Sequence, residues 1–74
     1  MPKLTPIPAR EVIRKLRRLG YEGPMGGGKH AVMRHPETGV KISVPMHASR
    51  DLPLGTLRAI IRVAGISIEE WEQL

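Results

Sequence analysis

Cysteine and phenylalanine are absent from the 74 residues, and tyrosine and tryptophan occur once each. Without cysteine there is neither a disulfide framework nor a thiolate zinc site. That fits a reducing cytoplasm, the expected location. Without phenylalanine the core must be built from Val, Ile, Leu and Met, and a chain of this length has room for one small core. So few aromatic rings argue against a platform that reads single-stranded bases by stacking. No apolar run approaches the roughly 18 residues of a membrane helix. The N-terminal Met1-Pro2-Lys3-Leu4-Thr5-Pro6-Ile7-Pro8 has no signal-peptide core, so no membrane partner is expected.

Acidic residues are scarce as well, 7 against 12 Lys and Arg, a net charge of +5. Their placement sharpens the imbalance. Glu69, Glu70 and Glu72 lie in the last six residues, leaving residues 1–65 with all 12 bases against Glu11, Glu22, Glu37 and Asp51, a net of +8. Such a body favours a polyanionic partner, nucleic acid first, although a charged face also serves solubility.

Periodicity organises what is present. From Pro8 to Leu19, the residues Val12, Ile13, Leu16 and Leu19 make one apolar stripe at helical spacing, with Gly20 suited to the left-handed position beyond the end. Arg10, Arg14, Arg17 and Arg18 fall on the other side. From Lys29 to Pro45 the period becomes two, and Pro36-Glu37-Thr38-Gly39 is a turn between two strands. A four-residue loop sets His35 opposite Val40, Met33 opposite Ile42 and Ala31 opposite Val44, a mostly apolar face. The other face carries Val32 with Ser43, Arg34 with Lys41, and His30 with Pro45. Residues 21–28 supply a short edge strand. Leu57, Ile60, Ile61 and Ala64 mark a second helix ending at Gly65, with Thr56 read as its cap. Ser67-Ile68-Glu69-Glu70 is a capping box opening a last helical turn, in which Trp71 plugs the core. The order is α-β-β-β-α plus a C-terminal turn, an α+β fold whose helices cover one face of an antiparallel sheet.

Three motifs invite chemistry. Gly23 to Lys29 matches the G-x-x-x-x-G-K spacing of a phosphate loop, but His30 replaces the Ser/Thr that would hold magnesium, and a strand follows where that motif needs a helix. His30, His35 and His47 invite a metal, yet His30 and His35 fall on opposite faces and no acid is spaced to join them. His30 is the remaining candidate: an imidazole transfers protons near neutral pH, and here it follows Gly28-Lys29 and shares a face with Arg34 and Lys41. A strand continued past Pro45 would bring His47 to the same face, about 7–8 Å away diagonally. Two imidazoles could then serve one phosphodiester as base and acid, with cations stabilising the phosphorane. His35, before Pro36, reads as structural.

Leu19-Gly20-Tyr21, Gly28-Lys29-His30, Arg34-His35-Pro36, Val44-Pro45-Met46-His47, Leu54-Gly55-Thr56-Leu57-Arg58-Ala59-Ile60 and Ala64-Gly65-Ile66, in this order, resemble the HicA (YcfA-like) toxins, over about Ala9 to Ile66. The resemblance implies a double-stranded-RNA-binding-domain-like fold, a ribonuclease toxin that cleaves mRNA without metal or cofactor, and a HicB-type acidic antitoxin covering the active face. The family's catalytic histidine corresponds to His30, and its Pro-x-His position to His47. Lys29 stands where the family usually has Ser. The chain is thus expected to be one HicA-like domain, 1–74, with residues 1–7 as an N-terminal extension and 66–74 as a C-terminal turn. His30 is expected to be catalytic, joined less firmly by His47, while Gly28, Lys29, Arg34, Lys41, Arg14, Arg17 and Arg18 contact RNA and its phosphates. The alternative is a non-catalytic RNA-binding module of the same fold. A third reading, a basic scaffold that meets only an acidic protein, predicts no RNA binding at all.

Overall fold

A computed structural model describes residues 3–26, 29–46 and 50–74. The elements run α1 (Ala9–Arg18), β1 (Glu22–Met25), β2 (His30–Arg34), β3 (Lys41–Pro45), α2 (Leu54–Ala64) and α3 (Ile68–Glu72). The strands form one antiparallel sheet in the order β1-β2-β3. This is the α+β, double-stranded-RNA-binding-domain-like arrangement expected from the sequence.

The hairpin has the register that the alternation dictates. His30 pairs with Pro45, Ala31 with Val44, Val32 with Ser43, Met33 with Ile42 and Arg34 with Lys41. Shifting by one residue would turn Ile42 and Val44 outward; instead both are buried, with Ala31 and Met33. The turn is locked locally. The His35 N–H donates to the Val40 carbonyl at 2.9 Å, the Gly39 N–H to the His35 carbonyl at 2.9 Å, and the Val40 N–H to the Thr38 hydroxyl at 3.2 Å.

Helix α1 ends in a Schellman motif. The Tyr21 N–H reaches the Leu16 carbonyl and the Gly20 N–H the Arg17 carbonyl, both at 3.0 Å, with Gly20 at φ +99°. A Cβ on Gly20 would also stand 3.0 Å from His35 Nε2. That imidazole packs edge-on against Tyr21, with centroids 5.1 Å apart, and its Nδ1 accepts from the Glu37 N–H at 3.2 Å. His35 is therefore engaged in joining the end of α1 to the hairpin turn.

Helix α2 starts earlier than the sequence suggests. Pro53 is the residue before it, with φ −58°, and the Leu57 N–H donates to the Pro53 carbonyl at 3.0 Å. Thr56 lies inside the first turn and is not the cap. Proline fixes the dihedral that a helix entry needs and so opens the helix without a capping side chain. The Ser67 capping box of α3 is present in both directions.

Both aromatic residues join the aliphatic core: Tyr21 is buried, and Trp71 is fully enclosed beside Leu16, Leu52 and Leu57 among the largest buried side chains. Lys15 was not distinguished by the sequence and is nearly buried, with 6% of its surface exposed. Its ammonium donates to the carbonyls of Trp71 at 2.8 Å and Leu74 at 3.3 Å and lies 5.5 Å from the centre of the Trp71 ring. A cation at a helix C-terminus satisfies carbonyls that have no partner within the helix. Burial holds this ammonium below its ordinary 10.5, against the opposing pull of Glu72.

Candidate functional site

The open face of the sheet follows from the register. Where Ala31, Met33, Ile42 and Val44 turn inward, their neighbours along each strand must turn outward. Three rows result. Glu22, Arg34 and Lys41 cross the strands at one end, Met25, Val32 and Ser43 in the middle, and His30 with Pro45 at the other end. His30, Lys41 and Ser43 are exposed, and Arg34 is half-buried.

His30 is the first residue of β2, and the strand begins directly after Lys29. This answers the phosphate-loop motif: its lysine leads into extended backbone, with no helix N-terminus to hold an anion. Lys29 is exposed and its carbonyl accepts from the Met46 N–H at 2.7 Å, so strand pairing extends one residue beyond β3. Gly28 and His47 lie outside the described residues. Among the described residues no group of three or more His, Asp or Glu could hold a metal ion.

Beside His30 runs a groove of about 340 Å³, open to solvent. One wall is the sheet, with His30, Lys41, Ser43 and Pro45; the other is α2, with Thr56, Ala59 and Val63. Ile42 and Ile60, both nearly buried, also line it. Lys41 thus shares the groove with His30, whereas Arg34 does not. Arg34 is four positions from His30 on one strand, about 13 Å at 3.3 Å per residue, and Lys41, paired with Arg34, lies equally far along β3. Arg34 also has Glu22 directly across on β1.

The α1 arginines stand apart from this groove. Arg14, Arg17 and Arg18 are exposed on the side of α1 opposite its buried stripe, which packs on the covered face of the sheet. Arg14 Nε pairs with Glu11 at 3.0 Å. Arg17 donates from Nη2 at 2.9 Å and Nε at 3.2 Å to the Gly23 carbonyl, tethering β1 to α1. Sequence reasoning named the cations and the imidazole but passed over Ser43 as a surface residue and Thr56 as a cap. The period-two alternation already put Ser43 on the face of His30. Thr56 was hidden because helix–strand packing leaves no periodic signal.

The fold, the exposed imidazole and the order of blocks now meet an independent observation: the model of the HicA toxin of bacterial toxin–antitoxin systems matches residues 9–66. The chain belongs to the HicA toxin family. No curated protein is significantly similar to it. As a HicA chain it is the toxin member of a toxin–antitoxin pair, so an antitoxin is its implied partner. No helix among the described residues is long and apolar enough to cross a membrane.

Proposed function

We propose that this HicA chain is an endoribonuclease that cleaves mRNA without a metal, with His30 as the proton-transfer residue. The reading rests on one observation above all: His30 is exposed on the uncovered side of the sheet, at a groove that also holds Lys41. His30 takes the proton of a ribose 2′-hydroxyl. The 2′-oxygen attacks phosphorus, the bond to the 5′-oxygen breaks, and the products are a 2′,3′-cyclic phosphate and a 5′-hydroxyl. Protonation of the departing 5′-oxygen needs an acid, and His47 is the candidate. Lys29, next to His30 in the chain, stabilises the charge gathering on the phosphorane. Arg34 and Lys41, paired with each other about 13 Å along the strands from His30, hold flanking phosphates, and the α1 arginines reach only more distant backbone.

A HicB-type antitoxin rich in acidic residues silences the enzyme by covering this face. Mapping of RNA ends formed with EDTA present tests the chemistry. Cyclic phosphates and 5′-hydroxyls, unchanged by EDTA, are expected; cleavage lost on adding EDTA overturns it.

The second reading, an RNA-binding module without catalysis, is favoured by one observation, Lys29 in the position where the family usually has Ser. Expression without the antitoxin separates the two. The enzyme arrests growth and the module does not.

A further inference from the structure

We infer that the groove between β3 and α2 is a base-binding subsite, which receives one unpaired nucleobase of the RNA next to the scissile phosphate. The inference rests on the ribonuclease reading and names how that site selects its substrate.

Size and chemistry both point to this occupant. Ligand pockets begin at about 300 Å³, and the groove holds about 340 Å³, room for one small planar ring system and none for a duplex. Its surface is mainly apolar, from Ile42, Ile60, Ala59, Val63 and Pro45. This suits the faces of a base removed from its stack, in a molecule whose Tyr21 and Trp71 are both buried. The polar groups are hydroxyls, Ser43 on the sheet and Thr56 on the helix, each able to donate or accept. His30 lies at one end of the groove, where the scissile phosphate would sit, and Lys41 lies about 13 Å along β3, where a flanking phosphate would sit. Among the described residues no carboxylate lines it.

The backbone adds a further reader. The His35 N–H to Val40 carbonyl bond and the Met46 N–H to Lys29 carbonyl bond fix the phase of the β2–β3 ladder. In an antiparallel pair hydrogen-bonded and non-bonded positions alternate. Met33–Ile42 and Ala31–Val44 are therefore bonded positions, and Lys41 and Ser43 direct their N–H and C=O groups to the free edge of the sheet, where the groove runs. An edge with fixed donors and acceptors distinguishes one base from another, as single-stranded RNA recognition requires.

Binding of labelled 2′-O-methyl oligonucleotides of A, C and U, read by fluorescence anisotropy, tests this without cleavage. The parent should discriminate among the three. Ala59→Leu fills the groove from an exposed helix position and should weaken binding on the order of tenfold, the scale on which occupancy of an apolar pocket acts, and flatten the preference. Thr56→Val keeps the shape and should alter the preference alone. Both variants should unfold at the parental temperature. Equal binding of all three oligonucleotides by the parent overturns the inference. So does unchanged affinity and preference in both variants, or a loss confined to antitoxin binding, which would assign the groove to the protein partner. A His30→Ala protein that still cleaves RNA would refute the catalytic reading and leave these binding results intact.

Discussion

Lys15 shows how far a single residue can depart from its apparent role. Its neighbours Arg14, Arg17 and Arg18 are exposed, whereas Lys15 is turned into the core to hold the C-terminal end of α3. Lys15→Ala removes charged hydrogen bonds to two carbonyls and should cost about 1.5–3 kcal/mol in denaturant unfolding. Burial depresses the ammonium's pKa, so its desolvation opposes folding at pH values below that folded pKa. The opposition is relieved as pH rises through it towards 10.5. A Lys15→Met protein should lack this upward component of the stability–pH curve. Tyr21 acts in the opposite sense: burial raises its pKa above 10.0, and its contribution falls as pH climbs past that value. Trp71 was legible as a core plug because the chain has little else of that volume. Trp71→Ala should cost about 3–5 kcal/mol, measured in the same way. Gly23 is more demanding than its place in a glycine-rich stretch suggests. It sits at φ +127°, and a Cβ there would lie 2.8 Å from the Val32 carbonyl oxygen. Gly23→Ala should destabilise by about 1–3 kcal/mol.

At the scale of elements, the hairpin was readable in full, including its register, because a two-residue period and a four-residue turn leave one way to bury Ile42 and Val44. Helix α2 was readable on its buried side, from Leu57, Ile60 and Ile61, but not at its start, where a proline substitutes for a cap. Contacts between the two chain ends were invisible to periodicity. Leu4 is buried, the Thr5 hydroxyl donates to Glu72 at 2.9 Å, and Lys15 reaches Leu74 at 3.3 Å. The segments on either side of the matched residues 9–66 therefore close on each other. Removing residues 67–74 should lower the unfolding temperature more than Trp71→Ala does. Glu72→Ala removes the contact with Thr5 and also the carboxylate that opposes the desolvation of Lys15, and should cost about 1–3 kcal/mol.

Across the whole molecule, the balance of charge predicted a polyanionic partner but could not say which face would meet it. The fold divides the cations: Lys41 and Arg34 accompany His30 on the open face, while the α1 arginines lie behind the sheet, two of them engaged within the chain. Single-stranded RNA binding should weaken with salt by about 0.7 in log–log slope for each phosphate neutralised. On an oligonucleotide short enough to occupy the open face alone, Lys41→Ala should lower that slope by one such step, and Arg14→Ala should leave it unchanged. The account as a whole stands on proton transfer by His30. Its most direct test is the rate of RNA cleavage by His30→Ala beside the parent, with EDTA present and folding verified. The rate should fall by about 10²–10⁴, and a variant that cleaves at the parental rate would contradict the account.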